Sequence, residues 1–220
     1  GNSLAEGEIH GQNGGYPVAI ALSNDAVKLA VSMININEGS VKSTIAFYNY
    51  GTVGQNEIDH CVGVNNYDDM VIPEMEFTSN DRMVAFGDTK AVIFEGAQKP
   101  QAIAEIPMDE KTKSIFYNEH YIGIVTGNED EAVTNHLAVY DENGKLVMEK
   151  DFGLDYSSIE FLTNNEICIR NANVCDIYTV HGVYKFHHEF EEELFEIIPG
   201  KLKLNYTLVL KDTTQRIRLK

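Results

Sequence analysis

Residues able to do chemistry occur in several places along this chain, and each set has a plainer alternative role. The tract His187-His188-Glu189-Phe190-Glu191-Glu192-Glu193 brings imidazoles and carboxylates, both metal-ligand types, into one stretch. On a strand, neighbouring side chains point to opposite faces, so His187 and His188 do not chelate one ion together. A strand end followed by a solvated acidic loop is expected there, with no metal and no cofactor. Cys168 and Cys175 flank Asn171-Ala172. They are read as directly opposite each other across a two-residue hairpin turn, at a hydrogen-bonded pair whose side chains diverge. Two small buried apolar side chains are expected, with a disulfide as the alternative. Cys61 makes the thiol count odd, so disulfides are not what closes the fold. Ser157-Ser158 beside Asp155 sets hydroxyls near a carboxylate, yet reads as a polar loop leading into a strand. The chain has no Gly-rich phosphate loop, no Gly-x-Ser-x-Gly elbow and no His-Glu-x-x-His. No catalytic residue is assigned. Tryptophan is absent, so any stacking platform for sugar rings falls to the 11 tyrosines. Of these Tyr16, Tyr67, Tyr121 and Tyr156 lie near strand starts, and most are expected to be core.

The elements that position these groups are short runs rich in Val, Ile, Phe and Tyr, broken by Asn, Asp and Gly clusters, with almost no helical periodicity. One turn recurs. It appears as Ala21-Leu22-Ser23-Asn24-Asp25, Phe77-Thr78-Ser79-Asn80-Asp81, Phe116-Tyr117-Asn118-Glu119-His120, Phe161-Leu162-Thr163-Asn164-Asn165 and Ile197-Ile198-Pro199-Gly200-Lys201. The intervals bracket the about 40 to 50 residues of a propeller blade. Each repeat carries the same order of four strands. In the third these are Ser114 to Tyr117, Tyr121 to Val125, Leu137 to Tyr140 and Leu146 to Phe152, with Asp141-Glu142-Asn143-Gly144 as a hairpin turn. The pattern predicts an all-β protein, a β-propeller of about five blades or the C-terminal part of a larger propeller. An irregular β-sandwich is the alternative. Residues 1–14 are read as a flexible N-terminal segment or the trimmed start of a longer chain, and 15–220 as a single propeller domain.

Seventeen basic residues against 34 acidic ones give a net charge of −17, which argues against nucleic acid and anionic membranes as partners. In a propeller the loops between second and third strands, and those between blades, emerge on one face. Assigning them here collects Asp68, Asp69, Asp109, Glu110, Glu129, Asp130, Glu131, Asp155, Glu191, Glu192 and Glu193 into an acidic interaction face. Such a face attracts a basic partner or binds calcium weakly; its plainer role is solubility. The innermost strands carry few acids, Glu74, Glu76 and Glu160 being the main ones. The last strand, Thr214 to Lys220, alternates apolar residues with Arg216, Arg218 and Lys220, and an open propeller edge there is expected to drive self-association.

The stretch from Gly15-Tyr16-Pro17-Val18-Ala19-Ile20-Ala21-Leu22-Ser23-Asn24-Asp25, through Lys28-Leu29-Ala30-Val31-Ser32, to Ala46-Phe47-Tyr48-Asn49-Tyr50-Gly51 and Val53-Gly54-Gln55-Asn56 resembles a family of clostridial, membrane-anchored proteins. That family is a domain of unknown function with a WD40-like propeller. The resemblance is firmest over residues 15 to 95. It implies a Gram-positive, extracytoplasmic protein at the cell surface, held by an anchor outside this chain, and it supplies no catalytic residues to carry over. Ala26 stands where the family tends to have Gly, a departure that bears on the turn type. Together these features point to a non-enzymatic binding or scaffold module that offers a propeller face to a protein or glycan partner. The alternative is a glycan-active enzyme, which would need two carboxylates about 5 to 10 Å apart near the axis.

Overall fold

Alternating β-branched and aromatic residues, cut by Asx and Gly turns, leave antiparallel hairpins as the structure open to this chain. A computed structural model describes residues 15–37, 39–51, 60–108, 111–127, 134–163 and 165–219. All regular structure among them is β. No helix there is long and apolar enough to cross a membrane.

The chain divides into two compact units, residues 1–110 and 111–220. Unit 1 holds two four-stranded sheets. One comprises β1 (Tyr16–Leu22), β2 (Lys28–Asn37), β3 (Ser40–Asn49) and β4 (Cys61–Asp68), and the other β5 (Glu74–Ser79), β6 (Arg82–Phe86), β7 (Lys90–Glu95) and β8 (Gln101–Pro107). Unit 2 holds three. They are β9 (Thr112–Tyr117), β10 (Tyr121–Gly127), β11 (Asn135–Asp141) and β12 (Leu146–Phe152); β13 (Ser158–Thr163), β14 (Glu166–Arg170), β15 (Val174–Thr179) and β16 (Tyr184–Glu189); and a three-stranded sheet of β17 (Leu194–Pro199), β18 (Asn205–Leu210) and β19 (Thr214–Arg218). Every sheet keeps its strands in sequence order, and every pairing is antiparallel. The expected segmentation of repeats two to four holds to within a few residues. The recurring turn is the first hairpin of each sheet.

Sheets within a unit stack through their apolar faces. Phe47 meets Phe94 between the sheets of unit 1, with ring centroids 5.1 Å apart. In unit 2 Phe116 and Phe161 do the same at 4.6 Å, in a core that also takes in Tyr121 and Tyr156. Tyr67 is partly buried in the unit 1 core, whereas Tyr16 is exposed. The third core, between β13–β16 and β17–β19, contains Cys168, Cys175, Ile177, Ile197, Tyr206 and Leu208.

The recurring Asn-Asp turn does more than reverse the chain. In unit 1 the buried Lys28 donates through Nζ to the Asn80 carbonyl at 2.6 Å and pairs with Asp81, while the Asp25 amide donates to Asn80 Oδ1 at 3.1 Å. One repeat's turn thus caps its neighbour's. Ala26 adopts φ +57°, the left-handed region that glycine enters without strain.

The cysteine register departs from expectation. Asn171 Oδ1 accepts hydrogen bonds from the amides of Asn173 and Val174, at 3.0 and 2.8 Å, and so stabilises a loop longer than two residues. The last pair of the ladder is therefore Arg170 with Cys175, and Cys168 faces Ile177. The two thiols are diagonal neighbours on one face, with their sulfurs 3.5 Å apart and both buried. All three cysteines are free thiols. Burial and the adjoining thiol push Cys168 well above the usual thiol range, the shared hydrogen bond with Cys175 being the larger cause.

Candidate functional site

Strand β14 positions the chemistry of unit 2. Its alternate residues Glu166, Cys168 and Arg170 share the face turned toward β17–β19. Only the middle of that face is apolar. A carboxylate is therefore carried into one end of the contact between sheets, and a guanidinium into the other.

At the Arg170 end, backbone hydrogen bonds draw four connections together. The Ser157 amide donates to the Arg170 carbonyl, Phe190 to Asn173, Leu194 to Ala172, and Lys211 to Glu193, all at 2.7–2.9 Å. Asn171 Nδ2 adds a bond to the Asp155 carbonyl at 3.0 Å. Between these loops lies a cleft of about 500 Å³ lined by Asp155, Tyr156, Ser157, Arg170, Asn171, Glu193 and Phe195 among others. Arg170, 13% exposed at its side chain, lies between two carboxylates from first strands of sheets. Its Nε is 3.6 Å from Glu160 Oε1 on β13, and its Nη2 is 3.8 Å from Glu196 Oε2 on β17. Those separations are Coulombic contacts rather than hydrogen bonds, and both Glu160 Oε1 and Arg170 Nε are buried without a hydrogen-bond partner. Burial, then the charge of Glu196, raise the Glu160 carboxyl above its ordinary value despite Arg170.

The predicted acidic residues distribute as follows. Asp155 and Glu193 line the cleft. Glu191 and Glu192 line an adjacent groove of about 550 Å³ walled by Phe186, His188, Phe190 and Leu210, and Glu192 accepts a hydrogen bond from Thr213 Oγ1 at 3.3 Å. Asp68 and Asp69 belong to unit 1, where Asp68 pairs with Lys42 at 2.9 Å and the Asp69 amide donates to Val41. Asp109, Glu110, Glu129, Asp130 and Glu131 lie outside the described residues. His187 and His188 do face opposite ways, the first hydrogen bonded to Asp176 at 2.8 Å and the second against the ring of Phe190. Among the described residues no group of three or more His, Cys, Asp or Glu side chains converges as a metal cage.

Sequence reasoning missed Glu196 and Arg170 at this end and the whole of the other. There Glu166 Oε1 accepts from Tyr206 Oη at 2.6 Å and pairs with Lys185, while Thr163 Oγ1 donates to Oε2 at 3.3 Å. Burial by itself would push the Glu166 carboxyl up. Donation from Lys185 and Tyr206, the charge of Lys185 and the Thr163 hydroxyl outweigh it, and the carboxyl sits below its ordinary value. Tyr206 moves the other way, raised by burial and by its bond to the carboxylate.

Residues 1–219 match the family described as "Family of unknown function (DUF5711)". The chain belongs to DUF5711. No curated protein matches this DUF5711 chain. Solved structures do. The β-propeller domain of the Trilobed protease from Pyrococcus furiosus is similar at 10% identity and TM-score 0.50, covering 92% of this chain and 70% of that one. An acylaminoacyl peptidase from Pyrococcus horikoshii is similar at 12% identity and TM-score 0.51, covering 89% of this chain and 36% of that one. The Neurospora crassa Pan2 WD40 domain is similar at 7% identity and TM-score 0.49, over 91% of this chain. The DUF5711 chain spans 61% of that WD40 domain's length. Five antiparallel sheets of three or four sequential strands, together with the two Pyrococcus likenesses, make the fold a β-propeller. At such identity the likeness concerns the fold alone.

Proposed function

We propose that this DUF5711 protein is a non-enzymatic, extracytoplasmic binding and scaffold module that receives a basic segment of a partner protein at the loop end of its sheets. One observation carries it: in unit 2 the hydrogen-bonded loops hold Asp155 and Glu193 at a cleft whose one cation among the described residues, Arg170, is already flanked by Glu160 and Glu196. Any further cation entering the cleft meets an excess of carboxylate, and a chain at −17 steers it there from a distance. The extracytoplasmic setting is supported by the resemblance of residues 15 to 95 to the clostridial surface family.

A second reading, a glycan-active enzyme, draws on Glu160 and Glu196, because a raised carboxyl beside another acid is an acid–base arrangement. Arg170 occupies the space between the two carboxylates, which favours a binding site.

A labelled hexalysine peptide separates the two. Binding is expected at low ionic strength, weakening about tenfold or more by physiological salt, because exposed charges beyond the Debye length are screened. The double variant Asp155→Asn/Glu193→Gln is expected to weaken binding by a further factor of about ten. Unchanged affinity in that variant would overturn the proposal. Hydrolysis of aryl glycosides by the wild type, lost in Glu160→Gln, would install the enzyme in its place.

A further inference from the structure

At the Glu166 end of unit 2 there is a cavity of about 450 Å³, and its character is opposite to that of the chain as a whole. Lys185, Lys201 and Lys203 all line it, in a protein with twice as many acids as bases. Its one lining carboxylate, Glu166, is already committed to Lys185, Tyr206 and Thr163. Lys201 and Lys203 have no carboxylate partner among the described residues. The remaining wall includes Pro199, Leu202 and Leu204. The cavity therefore offers net positive charge next to apolar surface.

Its shape is held from both sides. Loop 200–204 carries two of the lysines, and Leu204 adopts φ +67°, a strained conformation for a bulky side chain. Strain of this kind persists where the surroundings impose it. Here the Leu204 carbonyl accepts from the Leu219 amide at 2.8 Å, beyond the end of β19, and the Asn205 carbonyl accepts from the Gly200 amide at 2.7 Å. A Cβ on Gly200 would sit 3.0 Å from that same carbonyl oxygen, a tight contact that a larger residue meets only if the loop gives by a few tenths of an ångström. Beneath it, Glu166 fixes the Lys185 ammonium while leaving that group donors to spare, since an ammonium carries three.

We infer that this cavity binds a small organic carboxylate, the carboxylate held among Lys185, Lys201 and Lys203 and an apolar body laid against Pro199, Leu202 and Leu204. Glu166 and Tyr206 act as positioning residues that aim Lys185. A volume of about 450 Å³ falls in the range of small-molecule sites. Phosphate fits the cavity less well: no arginine fork lines it, its cations are point charges, and Pro199, Leu202 and Leu204 add an apolar wall.

The test is titration calorimetry of the whole chain with hexanoate, acetate, hexanol and inorganic phosphate at neutral pH and fixed ionic strength. Hexanoate is expected to saturate one site and to bind about tenfold or more tighter than each of the other three, because it alone joins charge to several buried methylenes. Lys201→Ala/Lys203→Ala, two exposed positions, is expected to weaken hexanoate about tenfold while leaving the unliganded melting temperature within about a degree. The proposal is overturned if hexanol or phosphate equals hexanoate, if the double variant keeps wild-type affinity, or if none of the four saturates. It does not depend on the acidic cleft, which these probes leave unaddressed.

Discussion

Glu160 and Glu166 are six residues apart, lie on neighbouring strands of one sheet, and each has a basic side chain beside it, yet their carboxyls are shifted in opposite directions. Glu166 has Lys185, Tyr206 and Thr163 donating to it. Glu160 has a guanidinium at 3.6 Å that makes no hydrogen bond to it, and a second carboxylate sharing that cation. Burial raises both. Neither depth nor the presence of a cation decides the outcome; the donors to Glu166 and the like charge of Glu196 beside Glu160 do. The two ends of β14 thus divide into a closed polar cluster that stabilises the fold and an open one that retains unsatisfied capacity.

The largest expected effect comes from removing the closed cluster's acceptor. Glu166→Ala strands a partly buried ammonium and the hydroxyl of Tyr206, itself 3% exposed, and is expected to destabilise unit 2 by about 3 kcal/mol in urea unfolding. A loss no greater than that of a surface substitution would erase the contrast. Next in size, Tyr206→Phe deletes one donor, moves Glu166 part of the way toward the condition of Glu160, and is expected to lose about 1 kcal/mol. Smallest is Glu160→Gln, expected to leave stability within about 0.5 kcal/mol or to raise it, because it relieves repulsion with Glu196.

Acid titration sharpens the same contrast. Glu166 is lowered on folding, so its stabilisation is present above the ordinary value of 4.5 and is lost as pH falls through the folded value. Glu160 is raised, so its contribution is fully present below 4.5 and is lost as pH rises through the folded value. The advantage of the wild type over Glu166→Gln should therefore shrink on acidification, while its standing against Glu160→Gln should improve. Parallel slopes for the two variants in urea unfolding across the acid range would contradict the assignment.

The fold was legible because hairpin chemistry is local. Asn118 accepts from the amides of His120 and Tyr121, and Asp141 from those of Asn143 and Lys145, so each turn is encoded within a few residues of itself. The Cys168 register departs from expectation for a reason of the same kind: the side chain of Asn171 holds a longer loop, so that Cys168 faces Ile177, two residues beyond Cys175, and the thiols stay on one face. Asp155 and Glu193 are assigned from loop placement, which needs only the order of strands, and both line the cleft. Glu166, Lys185 and Tyr206 meet across separations of 19 and 40 residues and two sheets, and no spacing rule marks them. Lys201 and Lys203 stand two apart in one loop, a spacing that acquires meaning only with Lys185 arriving from β16.

Among the described residues no strand pairs with anything but its neighbour in sequence. For an all-β chain this has a kinetic consequence, since slow β-folding stems from the entropy of closing long loops before distant strands meet. Here each ladder closes a hairpin that has only just been made. During synthesis a sheet can complete itself before the next has emerged, and within each unit an apolar face then waits only for the sheet that follows it. Within each unit the order in which the chain is read is also the order in which its sheets become available to stack.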